Sequence, residues 1–220
     1  MIMVTRTKFA EQLERLNDEL IKMSKAVEFA IYDTTKALVG KDVELAKKII
    51  ASDDDIDAME KEIERICLEI ILRQQPVAGD LRWVSSVLKI ITDLERIGDH
   101  ATDISEMTTF LAKQEYVSDV SLISKMADET MKMLNKSINA FIKKDVQLAE
   151  EVIAADDIVD DLFLQKKNEL IESMKKDANN ANQAMDFMMI AKYYERVGDH
   201  ATNIAEWTLF AATGVHKDTK

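Results

Sequence analysis

The chain has 220 residues, and its 47% hydrophobic and 32% charged residues are typical of soluble globular proteins. Its formal net charge of -12 argues against nucleic-acid binding, which depends on Lys and Arg to neutralise phosphates. The supply of turn residues is small, with Gly 5 and Pro 1, so the composition predicts an all-α fold of long helices joined by few connections.

The N-terminal stretch MIMVTRTKFAEQLERL lacks the apolar core of a signal peptide. No run in the chain approaches the roughly 18 to 20 apolar residues needed to span a bilayer. The single cysteine, Cys67, lies in an apolar pattern and is expected to be a small buried hydrophobe. These features favour a cytoplasmic protein that meets a membrane only through its partners.

The sequence pattern of the first part of the chain predicts three long helices. In the first helix, apolar residues recur at three- and four-residue spacing and form one stripe: Leu13, Leu16, Leu20, Met23, Val27 and Ile31. Asp42 is the expected N-cap of a second helix, from near Val43 to near Arg73, which Pro76 ends. A third helix follows from about Leu81 to past Glu106. Short connections between such helices predict an antiparallel three-helix bundle.

The second part of the chain repeats the first. KDVELAKKIIASDDDID, from Lys41, matches KDVQLAEEVIAADDIVD, from Lys144, at about ten of seventeen positions. Asp145 keeps the cap, and the copies continue to ERIGDHAT and ERVGDHAT. We therefore predict two tandem three-helix repeats, six long helices in all, at residues 1–116 and 117–220.

A row of acids follows one side of the third helix. On a helical wheel these four residues lie within an arc of about 80°, opposite the apolar core positions, and so predict an outward face: Glu95, Asp99, Asp103 and Glu106. The second helix has a matching row of Asp53, Asp57, Glu60 and Glu64. If the two rows lie side by side, their carboxylates could converge on cations such as Mg²⁺, Mn²⁺ or iron.

The second repeat keeps a reduced version of these rows. Its third helix has Glu195, Asp199, Asn203 and Glu206, with the asparagine in place of an acid. Its second helix keeps Asp156 and Asp160 but has Phe163 and Lys167 where Glu60 and Glu64 stood. We therefore expect the second site to bind metal more weakly than the first.

The motif also contains glycine, histidine and arginine. Gly98 and Gly198 each cost about 1 kcal/mol in a helix interior, which predicts close approach by another helix. His100 and His200 lie about 100° from the neighbouring aspartates on the wheel, so they are expected at the rim of a site. Arg96 and Arg196 are expected to pair with neighbouring acids or to brace an adjacent helix.

Three interpretations of the acidic rows compete with a metal site. An acidic helix face is usually only solvated, but the duplicated E-R-x-G-D-H-A-T favours a functional role. A di-iron carboxylate enzyme would use Glu-x-x-His, which does not occur, and no nucleophile motif or phosphate-binding glycine loop is found. The sequence thus predicts a protein that is not an enzyme. A helical adaptor that docks through its acids without metal is the alternative.

These repeats resemble the PhoU family of phosphate-uptake regulators. The resemblance rests on the duplicated ERxGDHAT and on RQQPVAGDLR between the second and third helices, and it covers about Leu13 to Phe210. Asp103 departs from the usual Asn of the motif. The resemblance implies a cytoplasmic, often dimeric regulator without catalytic activity. It would restrain a high-affinity phosphate ABC transporter, through the ATP-binding subunit, and help a sensor histidine kinase repress the phosphate-starvation response.

The resemblance also implies bound metal ions or metal clusters. Members of the family bind them through E(D)xxxD motifs, which Glu95 with Asp99 and Glu195 with Asp199 match. Further ligands are expected from the second helices, at Asp53, Asp57, Asp156 and Asp160. The metal stays open among Fe, Zn, Mn and Mg.

Overall fold

The computed structural model describes residues 2–215, which contain seven α-helices, one 3₁₀ turn and no strand. The helices are α1 (Ile2–Gly40), α2 (Val43–Ala51), α3 (Asp53–Gln74), α4 (Gly79–Leu111), α5 (Ser121–Lys143), α6 (Val146–Lys176) and α7 (Ala181–Thr213), with the 3₁₀ turn at Ala178–Asn180. The predicted all-α fold of two tandem three-helix repeats is confirmed. The predicted repeats also include residue 1 and residues 216–220, which lie outside the described residues.

The second helix of the first repeat differs from the expectation because it is interrupted at Ser52. The Ser52 hydroxyl donates to the Ile49 carbonyl oxygen at 2.8 Å, and its N–H bonds to the carbonyls of Lys48 and Ile49. Three aspartates fill the first turn of α3, where negative charge interacts favourably with a helix N-terminus. The second repeat has Ala155 at this position, and α6 is continuous.

The two predicted aspartate caps are confirmed. Asp42 accepts a hydrogen bond from the Leu45 N–H at 2.9 Å, and Asp145 accepts one from the Leu148 N–H at 3.0 Å. Each cap satisfies an N–H group that has no partner within its helix. The duplicated KD thus starts the second helix of each repeat at an equivalent point.

The third helices of the two repeats, α4 and α7, pack along each other in the middle of the molecule. α1 packs on α4, α5 packs on α7, and α1 contacts α5, so these four helices surround one core. α2 and α3 cover α1 and α4 on one side, while α6 covers α5 and α7 on the other. The acidic rows of α4 and α7 therefore lie beside the outer helices α3 and α6.

The core is continuous between the repeats. Tyr194 of α7 is fully buried, and its hydroxyl bonds to the Thr35 hydroxyl of α1 at 2.8 Å. Cys67 is fully buried as expected, and burial raises the pKa of its thiol to about 12. None of the helices within residues 2–215 combines the length and apolar character needed to cross a bilayer.

A buried lysine fixes the connection between the repeats, where the predicted boundary after residue 116 falls. Lys166 of α6 is fully buried, and its Nζ donates to Ser118 Oγ at 2.6 Å, to the Asp119 carbonyl oxygen and to Glu169 Oε1 at 3.0 Å. These three acceptors offset the cost of burying the ammonium group. Ile63 occupies the equivalent position in the first repeat and is also buried.

Candidate metal-binding and docking faces

In the first repeat, α3 and α4 bring two rows of acids together. A Cβ added to Gly98 would lie 3.1 Å from Ile56 Cδ1, so the glycine allows the close helix approach that the sequence predicts. Two threonines of α4 donate to acids of α3, from Thr102 to Asp53 at 3.0 Å and from Thr92 to Glu60 at 3.3 Å. We define the first acidic face as Asp53, Asp57, Glu60, Glu95 and Asp99.

The carboxylates of the first acidic face repel one another. Partial burial raises the pKa of Glu95, with Asp99, Glu60 and Asp57 adding to the rise. The predicted outward row is thus partly covered, and the Glu95 side chain is only 18% exposed. Arg96 opposes this repulsion, donating to Asp99 Oδ2 at 2.9 Å and lying 3.4 Å from Glu95. The expected pairing of Arg96 with neighbouring acids is confirmed.

In the second repeat, α6 and α7 form an equivalent surface. We define the second acidic face as Asp156, Asp160, Glu195 and Asp199. A Cβ added to Gly198 would lie 3.3 Å from Asp156 Oδ1, so here the glycine places a carboxylate against the backbone of α7. Burial raises the pKa of Asp156 to about 6, and the nearby charges of Asp199 and Asp160 contribute.

The second acidic face carries a cation that the sequence analysis overlooked. Lys192 forms an ion pair with Glu195, and its Nζ lies 5.6 Å from the ring centroid of Phe163. Thr92 and Glu60 stand at the equivalent positions of the first repeat. The other carboxylate oxygen of Glu195, Oε2, is buried without a hydrogen-bond partner. This face therefore combines local neutralisation with an unsatisfied carboxylate oxygen.

Two predicted site residues lie at the seam between α4 and α7. Asn203 donates to Asp93 Oδ1 at 3.0 Å, and His200 Nδ1 lies 2.8 Å from the same oxygen. At the equivalent position Tyr193 hydrogen-bonds to Asp103 and stacks on His100, with ring centroids 5.2 Å apart. Asp103 and Asn203 thus join the two repeats as well as bordering the acidic faces.

The two motif histidines also meet at this seam, with ring centroids 5.6 Å apart. Both ring nitrogens of His100 are enclosed without a hydrogen-bond partner. Burial lowers the pKa of His100 to about 4, and His200 and Arg196 add to the effect. The ring is therefore neutral near pH 7. Sequence reasoning missed Asp93, because its contacts depend on how α4 and α7 align.

The last two predicted residues lie further along the same helices. Glu106 is exposed, and it helps to raise the pKa of Asp103, which burial raises first. Glu206, its counterpart on α7, is partly buried. Neither belongs to the acidic faces as we define them.

The donor set suits hard cations, because both faces present carboxylate oxygens. In the arrangement of residues 2–215, no three His, Cys, Asp or Glu side chains are placed to hold one metal ion. A cation would give the buried Glu195 Oε2 the partner that it lacks. It would also oppose the rise in the pKa of Glu95 and of Asp199. A metal would thus require side-chain rotation within rows that the helices already bring together.

A family model described as the PhoU domain matches the chain twice, at residues 20–108 and 123–208. The chain is similar to the phosphate-specific transport system accessory protein PhoU homolog of Clostridium acetobutylicum. The identity is 40% over 216 residues, which cover 98% of this chain and 99% of that protein. A protein of the same description from Aquifex aeolicus is 40% identical over 189 residues, 86% of each chain.

Two solved structures have the same fold. The crystal structure of PhoU from Pseudomonas aeruginosa superposes with a TM-score of 0.90 and 32% identity, covering 94% of this chain and 100% of that one. The phosphate transport system regulatory protein PhoU from Streptococcus pneumoniae gives a TM-score of 0.90 at 26% identity, covering 96% and 100%. The likeness therefore extends over both repeats.

Proposed function

The chain belongs to the PhoU family, and we propose that it is an accessory regulator of phosphate transport whose acidic faces dock on partner proteins through bound metal ions. The description shared by its relatives, phosphate-specific transport system accessory protein, supports the transport role. The proposed role is regulatory and requires no catalysis. It places the protein in the cytoplasm, as a homodimer that reaches the membrane only through its partners.

The observation that carries the docking proposal is the repeated pair of acidic faces. In both repeats a glycine of the third helix brings in the second helix, and burial raises the pKa of Asp99 and of Asp199, with charges of the neighbouring second helix adding to each rise. Such repulsion destabilises the free protein, and a divalent or iron-type cation would convert it into attraction. A metal would supply charge neutralisation and open coordination positions for a partner's ligands.

The proposed ligands are those of the two faces, Glu95 and Asp99 with Asp53, Asp57 and Glu60, and Glu195 and Asp199 with Asp156 and Asp160. Asp103, Glu106, Asn203 and Glu206 border them. The proposed partners are the ATP-binding subunit of a phosphate ABC transporter and a phosphate-sensing histidine kinase. The phosphate-transport role of the relatives supports a transporter-related partner, and both named partners are part of the proposal.

A binding experiment with the transporter's ATP-binding subunit tests the proposal. Biolayer interferometry would measure the affinity of the chelator-treated protein before and after Mn²⁺, Zn²⁺, Fe²⁺ or Mg²⁺ is added. We expect the metal to increase affinity and Asp99→Asn to reduce the increase at least tenfold. Asp54→Asn removes the same charge from an exposed neighbour of the first acidic face and should bind normally.

A metal-independent adaptor is the second candidate. It is favoured by the ion pairs that Arg96 and Lys192 already make, which show that these faces accept guanidinium and ammonium groups. A partner could present basic side chains in the same way. Partner binding that is equal with and without chelator would select this alternative over the metal-dependent one.

A further inference from the structure

The connection between the repeats is held at the N-terminal end of α7 by residues of both repeats. Gln183 accepts a hydrogen bond from the Val117 N–H at 2.6 Å and donates to the Glu115 carbonyl oxygen at 3.1 Å. The Tyr116 hydroxyl donates to the Leu38 carbonyl oxygen at 2.8 Å. The bound stretch is thus an acidic residue followed by an aromatic one.

Lys41 recognises both residues of that stretch. Its Nζ lies 4.6 Å from the ring centroid of Tyr116 and 3.2 Å from the Glu115 carboxylate. It also donates to the Gln114 carbonyl oxygen at 2.9 Å. The tyrosine ring packs edge-on against Phe187, with centroids 5.1 Å apart. One lysine therefore provides a cation–π contact and an ion pair to adjacent residues.

A cavity of about 340 Å³ lies at the corresponding place, where the N-terminal end of α4 meets α5 and α7. Its lining includes Trp83, Phe141 and Lys144, the counterparts of Gln183, Leu38 and Lys41. Trp83 stacks on Phe141, with centroids 5.3 Å apart, and forms an apolar wall. The described chain departs from the linker's path here, since Gly214 has a φ of 78° whereas its counterpart Gln114 has no positive φ.

The cavity is bordered by two cations. Arg82 has no counterpart charge in the second repeat, where Asn182 stands. Its Nε is enclosed without an acceptor, and its guanidinium lies between Gly79 and Gly214. Among residues 9–215, whose side chains the structure describes, neither Arg82 nor Lys144 forms an ion pair, although Asp80 also borders the cavity. A buried donor without an acceptor destabilises the free protein and would be satisfied by an anionic ligand.

We propose that this cavity binds a short segment of a partner protein in which an acidic residue precedes an aromatic one. The second repeat supplies the template, because its equivalent site holds Glu115 and Tyr116. Lys144 takes the place of Lys41 over the aromatic ring, and Arg82 adds a second group for the carboxylate. The site lies twelve residues before Glu95 on α4, about 18 Å along the helix, so it is independent of the acidic faces.

Fluorescence titration with the peptide KQEYVSD, the sequence of residues 113–119, tests the proposal on the full chain. Trp207→Phe leaves Trp83 as the reporter, with excitation chosen to avoid the peptide's tyrosine. We expect a saturable change in Trp83 emission that Lys144→Glu weakens at least tenfold. Lys143→Glu, the same charge change at an exposed neighbour outside the cavity, should bind normally, and the peptide KQEAVSD should not bind.

A second variant blocks the cavity by volume. Ala212→Phe places a ring in the opening from the last turn of α7, where Ala212 is exposed, and should abolish binding while circular dichroism melting stays unchanged. Failure of the full chain to bind the peptide overturns the proposal. So does binding that survives both Lys144→Glu and Ala212→Phe. Binding that appears only when the chain is shortened after Val215 would assign the cavity to the chain's own last residues and would also overturn it.

Discussion

The two acidic faces occupy equivalent places in the two repeats but balance their charge differently. The first combines five carboxylates, with Thr92 and Glu60 hydrogen-bonded between its helices. The second has four carboxylates, and Lys192 and Phe163 replace that threonine and glutamate. The duplication has therefore kept the helix that carries ERxGDHAT and varied the charge beside it. We expect the first face to bind cations more strongly.

The largest expected effect comes from exchanging the buried residues that distinguish the repeats. Ile63→Lys would bury an ammonium group in the first repeat without the acceptors that Lys166 has, and should lower the free energy of unfolding by about 3 to 5 kcal/mol. Lys166→Ile should cost about 2 kcal/mol, because the acceptors around residues 118 and 169 lose their donor. Urea denaturation measures both. No loss of stability in Lys166→Ile would show that the hydrogen bonds of Lys166 to the connection between the repeats add nothing to folding.

The next largest difference in stability is expected when each of the two helix glycines is replaced by alanine. In Gly98→Ala the new Cβ meets Ile56 carbons at 3.1 and 3.2 Å, so overpacking should outweigh the gain in helix propensity and cost about 1 to 2 kcal/mol. In Gly198→Ala the nearest atom is the tip of a carboxylate, which can rotate, so the change in unfolding free energy should be close to zero. Thermal melting of both variants measures this difference. A larger loss of stability in Gly198→Ala than in Gly98→Ala would contradict the prediction.

Neutralising Asp156 should stabilise the metal-free protein. Because its pKa is raised to about 6 in the folded state, folding favours the protonated form, and stability falls as pH rises from about 4 to 6. Asp156→Asn should remove that fall and add about 1 kcal/mol at pH 7, after allowing for solvent screening of a half-buried group. Asp157→Asn removes the same charge from an exposed neighbour and should leave the fall in stability between pH 4 and 6 in place.

The smallest expected effect concerns the lysine that neutralises the second face. Lys192→Thr should raise the affinity of the second face for Mn²⁺ by about three- to fivefold, and Thr92→Lys should lower that of the first face by a similar factor. Electron paramagnetic resonance of bound and free Mn²⁺ would measure both. Unchanged affinities in the two variants would mean that residues 92 and 192 do not tune the faces.

Much of the fold could be predicted from the sequence, because apolar spacing, the KD caps and the internal duplication are local signals. The close approach at Gly98 and Gly198 was predicted and is confirmed, and so is the membership in the PhoU family. The break at Ser52 was missed, since SDDD is compatible with continuous helix and with a new N-terminus.

The remaining features depend on contacts between helices that no local pattern reveals. Asp93 meets His200 and Asn203 only because α4 and α7 align along ERxGDHAT. The sequence pattern suggests an exposed helix lysine at Lys166, but in the structure the connection between the repeats covers this side chain. Comparing positions 92 and 93 with 192 and 193 shows that the repeats differ there, but it does not show which residues Asp93 and Lys192 contact.

Elemental analysis by mass spectrometry tests the central claim most directly. The tag-free protein, purified without chelator, would be compared with an Asp99→Ala, Asp199→Ala double variant. Our account predicts that the wild type retains Fe, Zn, Mn or Mg, and that the variant loses it while melting within a few degrees of the wild type. A wild-type protein that is metal-free and takes up no added ion would contradict the account.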